Sequence, residues 1–197
     1  LKEFRGILAA ASLLVVRDRT EQSEARELVM LCREYTLGLS LETARKAEAA
    51  SDAPNATRVL ELAAYFTHCG LQPAHMLLAL RSAMIAAHKA KCHKLASSFG
   101  RRLLDLGPKP PIATQAKKVI RFAETAGDDA LTLRYDERNP FVVDAAEFLP
   151  LYKGTTVVKC ALCGASYAKG GSLCTICEMA TVGADAGGIR FLDRPGA

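Results

Sequence analysis

The chain has 197 residues, of which 50% are hydrophobic and 24% are charged, and its formal net charge is +5. This length and composition suffice for one large domain or two small ones with real cores, and they exclude an intrinsically disordered chain. The longest apolar run, residues 7–16, is too short to cross a bilayer, so we expect a cytosolic chain without a spanning helix.

The first part of the chain shows the three- and four-residue apolar spacing of amphipathic helices. A first helix is predicted over residues 1–16, and a second begins at Thr20 with acidic residues in its first turn. Proline, capping and glycine signals delimit four more helices. These are expected at residues 55–68, 74–89, 91–106 and 111–127.

Six helices in succession, joined by short turns, predict an N-terminal α-helical array over residues 1–127, built of α-solenoid-like hairpins. The array shows no clean repeat period, so a tetratricopeptide assignment is not supported. Its fourth helix has apolar residues on more than one face, which indicates either a partner surface or close helix packing. The residues concerned are Leu80, Ala83, Met84, Ala86 and Ala87.

After residue 127 the sequence changes to short β-prone pieces separated by glycine and proline. Strands are predicted at residues 131–135, 141–143, 155–158, 166–168, 180–182 and 189–192. Residues 128–197 are therefore expected to form a small β-rich module, and the fold class is α+β. A module of this size often needs a stabilising crosslink, such as disulfides or a structural metal ion.

Two motifs with the same CxxC spacing, Cys160-Ala-Leu-Cys163 and Cys174-Thr-Ile-Cys177, can supply that crosslink. Each CxxC pair predicts a tight knuckle with both thiols on one side, and two knuckles give the four thiolates that a tetrahedral zinc needs. Four protein ligands leave no open position, so the predicted zinc is structural. Two disulfides, buried thiols that are spaced this way by chance, and iron in a rubredoxin-like site are the alternatives.

Other clusters of reactive residues are weaker. His88 and Cys92 have the spacing of two ligands on one helical face, with His93 nearby, but no acidic residue or third clear ligand accompanies them. Asp144 has no histidine or nucleophile near it in sequence. No catalytic constellation emerges, so an enzyme is not expected. Five basic residues indicate a solvated helix face more than a site for an acidic partner or lipid headgroups. They are Lys89, Lys91, Lys94, Arg101 and Arg102.

Three stretches together resemble the C-terminal domain of the coatomer alpha subunit, from the COPI vesicle coat. The first comprises Leu31-Cys-Arg-Glu-Tyr35, Gly38-Leu-Ser40 and Glu42-Thr43. The second comprises Ala63-Ala-Tyr-Phe-Thr-His68, Leu71-Gln-Pro73, His75-Met76, Arg101-Arg-Leu-Leu104 and Leu106-Gly-Pro-Lys-Pro110. The third comprises Asn139-Pro-Phe141, Pro150-Leu-Tyr152, Gly154, the cysteine module and Gly183-Ala-Asp185. The resemblance covers nearly the whole chain in order.

The resemblance implies a non-enzymatic interaction domain of a cytosolic coat on Golgi membranes and COPI vesicles. It implies a heterodimer with the coatomer epsilon subunit, a tetratricopeptide-type helical protein. Other coatomer subunits would be reached through the rest of the full-length chain. It further implies Golgi-to-ER and intra-Golgi transport, peripheral membrane association and no nucleic-acid partner.

The alternative function is a zinc-ribbon nucleic-acid-binding protein, which needs interleaved basic and aromatic residues. Between Cys160 and Cys177 only Lys169 and Tyr167 are of these types. The sequence therefore favours the interaction domain over the nucleic-acid-binding protein.

Overall fold

The computed structural model describes residues 1–185, in which six helices precede two small antiparallel sheets. The helices are α1 (Lys2–Ala11), α2 (Arg19–Ala49), α3 (Ala56–Phe66), α4 (Pro73–Lys89), α5 (His93–Asp105) and α6 (Pro110–Thr125). The strands are β1 (Phe141–Val143), β2 (Pro150–Tyr152), β3 (Val158–Lys159) and β4 (Ser166–Tyr167). Over these residues, no helix is both long enough and apolar enough to cross a bilayer.

The six predicted helices are confirmed, and only the first differs clearly from its predicted length. Helix α1 ends at Ala11, where Ser12 Oγ donates a 2.7 Å hydrogen bond to the carbonyl oxygen of Ala9. The prediction of helix to residue 16 was therefore wrong for the last five residues. Leu13 and Val15 are 82% and 87% exposed, so their apolar spacing does not reflect burial. Helix α2 runs uninterrupted through Gly38, which is buried.

The chain forms two compact units. One contains Leu1–Ser40 and the chain from Asp136 onward, and the other contains Leu41–Tyr135. This grouping differs from the predicted division at residue 127, because α1 and the first part of α2 contact the cysteine region. Within this first unit the rings of Phe4 and Tyr35 stack at 5.2 Å and join α1 to α2. Separate folding of residues 1–127 and 128–197 stays a prediction.

The second unit is a set of helical hairpins packed around one apolar core. Leu80, Ala83, Met84 and Ala87 of α4 are buried there, so close helix packing, not a partner surface, explains these residues. Gly100 of α5 allows its helix to approach both neighbours. A Cβ at this position would lie 3.1 Å from Ile120 Cγ1 and 3.4 Å from Met84 Sδ.

The predicted strand at residues 131–135 is wrong, although its alternation correctly marks one buried face. Leu131, Leu133 and Tyr135 pack against the helical core instead of joining a sheet. The backbone of Arg134 bonds to helix α3 on both sides. Its N–H donates to Glu61 Oε1 at 2.8 Å, and its carbonyl oxygen accepts from the Tyr65 hydroxyl at 2.9 Å.

The two sheets belong to the first unit. Strands β1 and β2 pair with Phe141 opposite Tyr152, and β3 and β4 pair with Val158 opposite Tyr167. The strand at 141–143 is confirmed, while β2 was not predicted because Pro150 opens it. The strand predicted at 155–158 is displaced to β3 and shares only Val158 with it, while the one predicted at 166–168 is shorter by one residue. The strand predicted at 180–182 is reduced to a bridge between Leu173 and Thr181. The strand predicted at 189–192 lies outside the described residues.

Candidate metal centre

The two CxxC motifs form knuckles with the same local geometry. In the first, which lies between β3 and β4, the N–H of Gly164 donates to the carbonyl oxygen of Cys160 at 2.9 Å. In the second, the N–H of Glu178 donates to the carbonyl oxygen of Cys174 at 2.9 Å. The residue after each second cysteine has a left-handed backbone, with φ of 76° at Gly164 and 57° at Glu178. A glycine takes this conformation freely, whereas a glutamate takes it at a cost.

The knuckles bring all four cysteine sulfurs together in a buried cluster. The Sγ atoms of Cys160 and Cys177 are 3.8 Å apart, those of Cys163 and Cys174 are 3.6 Å apart, and all four lie within 4.8 Å of one another. A tetrahedral zinc with Zn–S bonds of about 2.3 Å would place its sulfurs about 3.8 Å apart. The four thiols therefore fit one tetrahedral cation. The structure brings together all four residues that the sequence analysis named.

Crowding among the four thiols moves their pKa values in opposite directions. Hydrogen bonding with Cys163 is the main cause that lowers the pKa of Cys160, to about 6. Hydrogen bonding with Cys160 lowers the pKa of Cys174 and raises the pKa values of Cys163 and Cys177. A cluster in which some thiols are readily deprotonated suits metal binding, because the thiolate is the metal ligand.

Tyr167 forms hydrogen bonds to the cysteine cluster from inside the module. The CxxC motifs do not include this residue, so the sequence analysis did not predict its role. Its hydroxyl donates to Cys174 Sγ at 3.1 Å and accepts from the N–H of Thr175 at 2.9 Å. The Tyr167 side chain is buried, and burial raises the pKa of its hydroxyl, which therefore remains a donor. Groups that bond to metal ligands orient them and tune their affinity.

Asp144 is a buried carboxylate that organises the backbone next to the knuckles. One oxygen accepts from the N–H groups of Ala146 and Glu147, at 2.7 and 2.9 Å. The other accepts from the N–H of Ala168, just after β4, at 2.6 Å. These bonds occupy both oxygens, so Asp144 has a structural role in the turn between β1 and β2.

Two arginines from the N-terminal helices bond to the knuckles. Arg5 of α1 donates to the carbonyl oxygens of Thr175 and Ile176, at 2.9 and 3.3 Å, and forms a 2.9 Å ion pair with Glu178. Arg33 of α2 donates to the carbonyl oxygens of Cys163 and Gly164, both at 3.5 Å. These contacts join residues 130 to 171 positions apart, a separation that local sequence patterns do not report.

The weaker histidine cluster does not form a comparable site. The rings of His88 and His93 lie 5.1 Å apart and both contact the edge or face of Phe122, at 5.4 and 4.9 Å. Cys92 is buried, and its Sγ lies 3.7 Å from the carbonyl oxygen of Ala90. Within residues 1–185 the four-cysteine cluster is the only group of three or more potential ligands that could hold a metal ion.

The fold and the site define a class of protein: helical hairpins combined with a four-cysteine knuckle module. Comparison with known proteins specifies the family. The family described as the C-terminus of the coatomer (COPI) alpha subunit matches residues 1–194. The chain therefore belongs to this family, which confirms the resemblance seen in the sequence.

The sequence similarity to individual relatives agrees with this family assignment. The chain is 42% identical over 198 residues to coatomer subunit alpha of Dictyostelium discoideum and 44% identical over 191 residues to coatomer subunit alpha-1 of Arabidopsis thaliana. It is 34% identical over 190 residues to coatomer subunit alpha of Saccharomyces cerevisiae. These alignments cover 98%, 96% and 95% of the chain, but only 16%, 15% and 16% of the respective relatives.

Proposed function

We propose that this chain is a non-enzymatic interaction domain of the COPI vesicle coat that binds the coatomer epsilon subunit. The observation that carries the proposal is the family match over residues 1–194. In this proposal the domain serves Golgi-to-ER and intra-Golgi transport on the cytosolic face of Golgi membranes. The rest of a full-length alpha subunit would make the contacts with the other coatomer subunits.

An exposed apolar segment between α1 and α2 supports a protein partner. Leu13, Leu14, Val15 and Val16 are 82%, 44%, 87% and 37% exposed. A cleft of about 410 Å³ adjoins this segment, and Ala25 and Leu28 of α2 line it together with the segment's last three apolar residues. Contiguous apolar surface of this kind is typical of interaction sites, because leaving it in water is unfavourable. We propose this segment as part of the epsilon contact.

Co-elution with purified epsilon subunit on size exclusion tests the heterodimer. We expect one stable complex at micromolar concentration and moderate salt. Val15→Asp should weaken it about tenfold or more, because a charge would replace a buried apolar contact. Leu78→Asp, which changes a 58% exposed leucine on α4, is the matched control and should bind normally.

The two parts of this proposal can fail separately. A monodisperse chain that never co-elutes with epsilon would contradict the heterodimer. A complex that forms equally well with Val15→Asp would preserve the heterodimer and exclude the segment at 13–16 from its interface.

We also propose that Cys160, Cys163, Cys174 and Cys177 hold one structural zinc. The support is the buried cluster of four sulfurs at tetrahedral spacing. When bound, zinc would crosslink the two knuckles and contribute folding free energy to a module with little regular structure. Asp144 and Tyr167 would keep the backbone and the Cys174 thiolate in place.

Elemental analysis of the purified chain should find about one zinc per chain, and Cys174→Ser should lower that content. One bound iron, with the visible absorption of a ferric thiolate centre, would overturn the choice of zinc. A metal-free chain with a folded knuckle module would overturn metal binding altogether.

The nucleic-acid alternative receives less support. Tyr167, the aromatic residue between the two knuckles, is 1% exposed and hydrogen-bonds to Cys174, so it cannot stack on a base. Lys169 is exposed, but a single cation does not make a phosphate-binding surface.

A further inference from the structure

The positive charge of this chain is concentrated in one segment. Residues 73–125, which span α4 to α6, contain ten lysines and arginines and two acidic residues, Asp105 and Glu124. The segment thus carries a net charge of +8, while the whole chain carries +5 and the remaining residues together carry −3. Such segregation produces a local positive potential that the total charge conceals.

Contacts between α4 and α6 place part of this charge on one surface. Arg81 Nε donates to Gln115 Oε1 at 3.1 Å, and the rings of His88 and Phe122 lie 5.4 Å apart. The two contacts are seven residues apart on both helices, so α4 and α6 run side by side in the same direction. Lys118 lies on α6 between Gln115 and Phe122.

We call this surface the basic seam. It comprises the exposed face of α6 that carries Lys117, Lys118, Arg121 and Phe122, together with two residues of α4: Arg81, which bonds to Gln115, and Lys89, which directly follows His88. Four of its five cations are exposed, and Arg81 is half-buried. Among the ion pairs of residues 1–185 none involves these five, whereas nearby Lys94 is neutralised by Asp128. The charge of the seam is therefore available to a partner.

Phe122 indicates which anionic partner fits. Its ring is 52% exposed, although the rings of His88 and His93 contact it from the protein side. Phenylalanine occurs on the face of surface-bound helices that enters the boundary between headgroups and acyl chains, and clustered lysines and arginines are attracted to anionic lipids. Single-stranded nucleic-acid sites instead stack successive bases on several aromatic rings. Phe122 is the one strongly exposed aromatic ring in the described chain.

We propose that the basic seam binds the phosphate headgroups of an anionic membrane surface, with Phe122 entering the headgroup layer. The seam and the segment at 13–16 share no residue, so the proposal does not depend on the epsilon heterodimer.

Sedimentation of the 197-residue chain with lipid vesicles tests the proposal. We expect binding to phosphatidylcholine vesicles that contain phosphatidylserine, little binding to pure phosphatidylcholine, and weakening by salt. The triple variant Lys117→Gln, Lys118→Gln, Arg121→Gln should bind about a hundredfold more weakly, since each cation near the surface contributes about fivefold. Phe122→Ala should also weaken binding.

A matched control removes the same number of charges elsewhere. Lys2→Gln, Lys153→Gln and Lys169→Gln change exposed residues and should leave vesicle binding nearly intact. Equal losses in both triple variants would overturn the seam as the contact surface. Failure of the unchanged chain to sediment with phosphatidylserine vesicles would overturn the proposal, as would selective binding of an RNA oligonucleotide through the seam. The far-UV circular dichroism of each variant verifies its fold.

Discussion

At the scale of single residues, the cysteine cluster depends on a side chain that the CxxC pattern does not include. The Tyr167 hydroxyl bonds at once to Cys174 Sγ and to the N–H of Thr175. Both partners lie inside the second knuckle, so one hydroxyl fixes both the orientation of a ligand and the backbone that carries it.

Tyr167→Phe should therefore lower zinc affinity about 10- to 100-fold, because a partner of a metal ligand is lost and a backbone N–H is left unpaired. Competition with a chromophoric chelator measures this affinity. Tyr152→Phe is the matched control, since its hydroxyl accepts from the N–H of Asp136 and not from the cysteine cluster. Unchanged affinity in Tyr167→Phe would remove this residue from the site.

At the scale of elements, α1 and α2 act as supports for the knuckles through Arg5 and Arg33. The bonds from Arg5 are shorter than those from Arg33, 2.9 and 3.3 Å against 3.5 Å, and Arg5 adds an ion pair with Glu178. The stability of the second knuckle should therefore depend more on Arg5 than the stability of the first knuckle depends on Arg33.

Arg5→Ala should raise amide hydrogen exchange across residues 174–178, with a loss of about 1 kcal/mol in local opening free energy because three partly exposed contacts disappear. Arg33→Ala should act on residues 160–164 and more weakly. Arg101→Ala, which removes an exposed arginine from α5, should leave both knuckles unchanged. A larger effect from Arg33→Ala would contradict this ranking.

Local patterns predicted most elements of this chain and failed where the partner of an element lies far away in sequence. Helical spacing and capping signals located α3 to α6 well, and the paired CxxC motifs named the complete cluster. Alternation at Leu131, Leu133 and Tyr135 correctly marked a buried face, but a helical core covers that face instead of a neighbouring strand. Tyr167 and the two supporting arginines had no short-range signal, because their roles arise from tertiary contacts.

At the scale of the whole molecule, the proposed metal site and the helical core lie in different units. The four cysteines belong to the unit of Leu1–Ser40 and the chain from Asp136, whose sheets have two strands each. The unit of Leu41–Tyr135 has a continuous apolar core from α3 to α6 and contains none of the cluster. Chelation should therefore affect one unit before the other.

Removal of zinc with a strong chelator should produce an early thermal transition that involves only part of the chain. Hydrogen exchange should rise over α1, the sheets and the knuckles, while residues 60–103 of the apolar core keep their protection. Loss of the entire helical signal in one transition would show that the second unit also depends on the metal. The chain with Cys174→Ser should behave like the chelated protein.

The contacts of Arg5 with Thr175 and Ile176 also impose an order on folding during synthesis. Helix α1 leaves the ribosome 170 residues before its partner knuckle exists. At ordinary translation speeds of about 5–20 residues per second, that delay lasts about 10 to 30 seconds. During this time the unit of Leu41–Tyr135 can fold completely from its own residues, whereas Arg5 lacks its knuckle. Nascent chains of this domain therefore pass through a stage in which α1 is a natural target for chaperones.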